Sequence, residues 1–268
     1  MIRPATILAL VTRQVLLFTR NPVRAFELFF WPIVQLMVWG FVTQFLQQHS
    51  VGEDGFGRFI TFLIGGIILW DALFRSQQGV AISYLEDVWT RNLLNIFAAP
   101  IRMTEYLAAS FTVGFLRVLV TAAVLAAIAW FAYAFDLFQF RWTLVIYYGN
   151  LMMFGWALGI LSISMILRWG HAAESLAWAV PFMVQPFACV FYGVDVLPGW
   201  MRAVALALPP AHVFEGMREV LAGEPVDPGR LALATGLNVL YLLAAGLLFS
   251  RMFAIARKRG LLVKAASS

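Results

Sequence analysis

The sequence predicts an all-α integral membrane protein with six transmembrane helices, on three observations. Hydrophobic residues make up 62% of the chain and charged residues only 12%, about half the charged share usual in soluble domains. Mean hydropathy is +0.83, more apolar surface than a water-soluble core can use. The apolar residues also gather into runs of about 20, the length a helix needs to cross a bilayer. Most arginines fall in the segments between those runs. No Ser/Gly-rich linker, low-complexity tract or repeat divides residues 1–268, so the chain reads as one transmembrane domain.

Residues 4–21 come first. Arg3, Thr6, Arg13 and Arg20 recur at helical spacing, while Ile7, Leu8, Leu10, Val11 and Phe18 fall elsewhere on the wheel. That pattern predicts an interfacial helix with its arginines towards anionic headgroups. A short apolar core followed by a small-residue cleavage site is missing, so no signal peptide is expected here.

Phe26–Leu46 is the first expected span, with Pro32 inside it, and Gln47–Arg58 is expected as a polar loop. Phe59–Tyr84 is the second span. Its purely apolar part ends at Phe74, so the helix must continue through Arg75 and Gln78 to cross. Thr104–Ala134 gives a long third span carrying Arg117. Trp142–Leu167 is the fourth, and its Gly155-x-x-x-Gly159 pair permits close helix contact. Ala172–Tyr192 is the fifth, interrupted by Pro181 and Pro186, and Leu231–Phe253 is the sixth.

An even number of spans puts both termini on one side. With the termini cytoplasmic, Arg3, Arg13, Arg20, Arg24, Arg91, Arg102 and the Arg257–Lys258–Arg259 tail lie inside, against Arg58, Arg141, Arg202, Arg218 and Arg230 outside. The positive-inside rule selects that orientation.

Residues 83–100, SYLEDVWTRNLLNIFAAP, are amphipathic and too polar to cross. Ser83 and Glu86 fit a capping box for a new helix, Glu86 and Asp87 suit its first turn, and Pro100 would stop it. Leu85, Trp89, Leu93, Ile96 and Phe97 share one side; Asp87, Thr90, Arg91 and Asn95 share the other. Leu94 sits among the polar set, where a partner surface would use it and a helix lying on lipid would not. Residues 194–230 are expected as two short extracytoplasmic helices. One starts at Pro198. The other follows Pro209–Pro210 to Leu221, with Val213, Phe214, Met217, Val220 and Leu221 on one face and Glu215, Arg218 and Glu219 opposite. Either a hairpin entering the outer leaflet or a loop packed on the bundle fits them.

Catalytic and metal signatures are missing. The chain has no G-x-x-x-x-G-K-[ST], no H-E-x-x-H and no G-x-S-x-G. His49, His171 and His212 are scattered, and the single Cys189 excludes a multi-cysteine metal site. The intramembrane polar residues remain. Asp71 and Arg75 are four apart and can pair. An unpaired charge in mid-membrane costs about 2.5–3.5 kcal/mol on insertion scales, and Arg117 meets the same constraint. An interhelical anchor and a substrate contact are the two readings. Phe30, Gln35, Gln185 and Tyr192 are the further residues that could line a route, with packing or an aromatic belt as their alternative.

LEDVWTRNLLNIFAAPIRMTEYLAA and FYGVDVLPGWMRAVALALPPAHVFEGMREVL, in that order and topology, resemble two signatures of the permease subunit of ABC-2-type exporters. The first is an acidic start, a leucine-rich middle and a small-residue–Pro end. The second is an aromatic–small turn, Leu-Pro with Trp, a Pro pair and an amphipathic helix. The resemblance implies a dimer of permeases above two separate ATPase subunits, which hold ATP and Mg; this chain then needs no cofactor. It implies that residues 83–98 form a coupling helix, with Glu86, Asp87, Thr90, Arg91, Leu94 and Asn95 facing the ATPase. Spans one and five would move at the dimer interface to open an export route in a bacterial inner membrane. The cargo would be a glycan, a lipid-linked molecule or a hydrophobic drug-like compound. The Asp71/Arg75 pair stands outside that pattern. The alternatives are a membrane scaffold or assembly factor, an ion-coupled secondary transporter, for which no internal repeat speaks, and an intramembrane enzyme using Asp71, for which converging polar groups are lacking.

Overall fold

The computed structural model describes residues 3–49, 53–169 and 174–258. Ten α-helices and no strand form among them: α1 (Pro4–Thr19), α2 (Pro22–His49), α3 (Glu53–Trp89), α4 (Leu93–Ala98), α5 (Met103–Tyr133), α6 (Thr143–Trp169), α7 (Glu174–Val184), α8 (Gly199–Leu206), α9 (Pro209–Leu221) and α10 (Pro228–Lys258). Pro4, Pro22, Pro209 and Pro228 each open a helix, where the missing N–H costs nothing. Among the described residues α2, α5, α6 and α10 are long and apolar enough to cross a membrane by length and composition.

Helix α3 is the central element. It has 37 residues, about 55 Å at 1.5 Å per residue, and packs most closely on α6 and α5. Glycines set the closeness. A Cβ on Gly155 would fall 2.5 Å from the Leu73 carbonyl oxygen, one on Gly159 2.6 Å from Val80 Cβ, and one on Gly79 2.5 Å from Gly114 Cα. The Gly155/Gly159 pair therefore does what its spacing predicts, and its partner is α3. Amides tie the bundle where apolar packing would leave register free. Gln77 of α3 donates to Ser162 of α6 and to the Ala177 carbonyl of α7 (3.2 and 2.9 Å). Asn238 of α10 donates to the Oδ1 and the carbonyl oxygen of Asn150 in α6 (2.9 and 3.0 Å).

Several expected boundaries are corrected. The polar loop 47–58 is mostly helix: α2 runs to His49 and α3 begins at Glu53, with residues 50–52 outside the described ones. The fifth span is shorter than expected. Helix α7 has 11 residues and ends at Val184, because the tertiary amide of Pro186 cannot extend the ladder and the chain turns through Cys189 at φ 57°. The first part of that span, Ala172, lies outside the described residues.

The two helices after it form as expected, α9 ending before Gly223 at φ 79°. Val213, Phe214 and Met217 of α9 are fully buried in the main core with Phe135, Phe140 and Tyr147. Its charged side is not the solvent face that the wheel suggests. Glu215 accepts from the Val194 N–H (2.6 Å) and from Arg218 (2.8 Å), and Arg218 donates to the Cys189 carbonyl (2.8 Å). These bonds staple α9 to the turn after α7.

Candidate functional site

The segment 83–100 is not one helix. Helix α3 runs unbroken through Ser83 and stops at Trp89, so Ser83 and Glu86 form no capping box; Ser83 is buried in a helix interior. The stop is a Schellman closure. Arg91 takes the left-handed conformation at φ 55°. Its N–H donates to the Val88 carbonyl (3.0 Å), and the Asn92 N–H donates to the Asp87 carbonyl (2.9 Å). Helix α4 follows as six residues, anchored by the buried Leu93 and Ile96. The tertiary fold, not Pro100, ends the long helix; Pro100 ends only α4.

The predicted coupling residues then divide. Thr90, Arg91 and Asn95 are exposed at the corner. Trp89, expected on the apolar side, is 41% exposed, and its indole N–H donates to Glu174 of α7 (3.1 Å). The side chain of Leu94 lies outside what the structure describes. Glu86 and Asp87 face inward, at 5% and 1% exposure. Asp87 pairs with Arg13 of α1 (2.5 Å) and accepts from the Tyr106 hydroxyl of α5 (2.7 Å), which also donates to the Ser83 carbonyl. Glu86 pairs with Arg24 of α2 (3.2 Å). Burial pushes the Glu86 carboxyl up, against the pull of Arg24.

Two adjacent carboxylates at the end of α3 thus hold α1, α2 and α5 together. The arginines of α1 accordingly differ from the interfacial expectation. Arg3 pairs with the enclosed Glu105 of α5 (3.2 Å) and also meets the Pro100 carbonyl, while Arg13 turns to Asp87; only Arg20 stands free to meet headgroups. Glu105 also accepts from the Arg102 N–H (3.0 Å), closing the start of α5. Glu105→Ala is expected to loosen α1 without unfolding the bundle. Limited proteolysis at Arg20 should then cut faster than in the wild type, with unchanged cleavage counting against this role.

The route candidates are scattered. Asp71 and Arg75 do pair (3.2 Å), within α3 and almost wholly buried. Phe30 contacts Phe26 and Trp31 of its own helix at centroid distances of 5.1 and 5.2 Å. Gln35 and Gln185 are half-buried on α2 and after α7. The Tyr192 hydroxyl donates to the Pro186 carbonyl (2.6 Å). What joins α2 to the segment after α7 is Trp39 stacked on Phe191 at 5.1 Å. Arg13, Arg24, Glu105 and Tyr106 carry the inner cluster, and a reading of 83–100 by itself passes over them. Their signal was charge matching: Arg13 and Arg24 on either side of Pro22, and two carboxylates at the end of a predicted span.

A family model described as ABC-2 type transporter matches residues 5–222. The chain belongs to the ABC-2 type transporter family. The match begins in α1 and ends with α9, so it takes in the α3–α4 corner, the ion-paired cluster behind it and the α8–α9 pair, and leaves out α10. Membership makes the chain a multi-pass membrane protein and the transmembrane component of an ABC transporter. No match to a curated protein was found. In this ABC-2 permease the adjacent Glu86 and Asp87, just before the Arg91 corner, contact α1, α2 and α5.

Proposed function

We propose that this chain is the membrane subunit of an ATP-driven exporter, acting as a pair of copies above two separate ATPase subunits. The corner from Trp89 to Pro100 is the part that the ATPase grips. The left-handed Arg91 carries this reading. Such a backbone costs about 1–3 kcal/mol, and here it turns Thr90, Arg91 and Asn95 outward while Leu93 and Ile96 anchor α4. Closure of the ATPases on ATP and Mg would push that corner, and Asp87 and Glu86 would pass the movement to α1, α2 and α5. The chain supplies no phosphate loop of its own.

Six spans follow if α3 and α7 join the four apolar helices. The charges and amides of α3 are satisfied internally by Asp71–Arg75 and by Gln77; α7 with the residues flanking it makes the fifth crossing, and the α8–α9 pair stays on the outer side. The arginine distribution supports cytoplasmic termini, and the membrane would be a bacterial inner membrane. The second copy would meet α2, whose Phe26, Trp31, Met37, Val38 and Phe41 are exposed, beside the Trp39–Phe191 stack. The cargo, a glycan, lipid-linked or hydrophobic molecule, would pass between copies along Phe30, Gln35, Gln185 and Tyr192. Asp71 and Arg75 tie α3 instead of lining the route.

Arg91→Glu combined with Asn95→Asp tests the corner. Transport and a co-purifying P-loop ATPase should both be lost while insertion and melting temperature hold. Arg91→Gly keeps the turn, since glycine takes positive φ freely, and separates turn from charge. Unchanged transport in the double variant would falsify the coupling role. A folded preparation with no ATPase would favour a scaffold or an ion-coupled transporter.

A further inference from the structure

One cation in the apolar layer lacks a hydrogen-bonding anion. Arg117 of α5 is 9% exposed, and its Nε and Nη2 have no hydrogen-bond partner among the described residues. Its guanidinium lies 3.8 Å from the centroid of the Phe18 ring of α1. The charges acting on it are Glu86, which attracts, and Arg75 and Arg24, which repel. Each of those three is paired elsewhere: Glu86 with Arg24, and Arg75 with Asp71.

Depth identifies what can reach it. Exposed Trp130, Phe131 and Trp142 mark one interface at the far end of α5. Counted back from Tyr133, about 20 residues at 1.5 Å cover a hydrocarbon core of ~30 Å and end near Gly114. Arg117 is then one turn inside the opposite boundary, where a long side chain reaches the headgroup level. The exposed apolar walls on its flanks are Val15 and Leu17 on α1 and Leu116 and Val120 on α5.

We propose that Arg117 holds the phosphate of an anionic membrane phospholipid at the seam of α1 and α5, the acyl chains lying along those exposed walls. The guanidinium offers two unpaired donors in the fork that suits a phosphate; both are enclosed, so the Phe18 ring must swing aside for a phosphate to reach them. The neighbouring charges leave Arg117 unmatched, since Glu86 is held by Arg24 and Arg75 by Asp71. A free phosphate ion would have to leave water and pass the Phe18 lid, whereas a lipid phosphate already resides at that level and brings apolar chains with it.

The test uses the full-length protein in nanodiscs and the shift in melting temperature with lipid composition. Phosphatidylglycerol should raise the melting temperature above that in phosphatidylcholine, and native mass spectrometry should show retained phosphatidylglycerol. Arg117→Gln should abolish the difference and weaken retention about tenfold or more. Phe18→Glu supplies an internal carboxylate to Arg117 and should do the same while keeping the seam closed, so it decides the matter if Arg117→Gln fails to fold. Equal melting in the two lipids, or a phosphatidylglycerol shift that survives in Phe18→Glu, overturns the proposal. A shift reproduced by inorganic phosphate in phosphatidylcholine discs overturns the lipid as its source.

Discussion

Asp87→Ala is expected to cost about 3 kcal/mol and to abolish transport in whatever protein still folds. Removing one partner of a buried pair leaves an uncompensated charge and costs about 3–5 kcal/mol. The lower end applies because the Arg13 side chain remains 29% exposed and can find water. The Tyr106 hydroxyl, fully enclosed, would lose its carboxylate but keep the Ser83 carbonyl. Asp87→Asn, which still offers Tyr106 an oxygen, should lose less stability than Asp87→Ala yet most of the transport. A cycle with Arg13→Ala isolates the pair: the double variant should be less destabilised than the sum of the two singles. Strict additivity would mean that Asp87 does not transmit through α1.

Gly155→Leu should prevent α3 and α6 from docking, and even Gly155→Ala should lower the melting temperature. The added Cβ would stand 2.5 Å from the Leu73 carbonyl and 2.7 Å from Ser76 Cβ, so backbone must move. Overpacking of this kind costs about 1–3 kcal/mol. Gly149 of the same helix is the control. A Cβ there meets nothing within 4 Å, and alanine in place of glycine in a helix interior gains about 1 kcal/mol. The two Gly→Ala substitutions should therefore act in opposite directions on the melting temperature. If both stabilise, the α3–α6 contact is looser than the structure has it.

Composition and hydropathy period were enough to read an all-helical membrane protein, because exclusion of apolar runs from water needs no partner to be legible. Helix limits at α5 and α6 were also legible to within two residues from run length, and the α8–α9 pair from its prolines, whereas α10 extends beyond the expected Leu231–Phe253 at both ends. The small-xxx-small pair in α6 was visible; that α3 fills its groove was not. The site was half legible. Thr90, Arg91 and Asn95 emerged from the wheel as an outward face, and they are exposed. Glu86 and Asp87 emerged as surface charge and are instead the buried centre of the cluster. A wheel assigns a face only relative to its own helix, and the partners that neutralise those carboxylates, Arg13 and Arg24, are far away in the chain.

What the sequence by itself determined is therefore the medium and the set of helices, both fixed by local hydrophobicity summed along the chain. Only the tertiary structure decided where α3 ends and which charges lie inside. The stop at Arg91 uses a residue with no intrinsic preference for left-handed backbone, and it is held there by contacts of α4 that no local pattern reveals. The inward turn of Glu86 and Asp87 depends in the same way on arginines and a tyrosine brought from α1, α2 and α5, since a buried carboxylate is tolerable only once its partners have assembled around it.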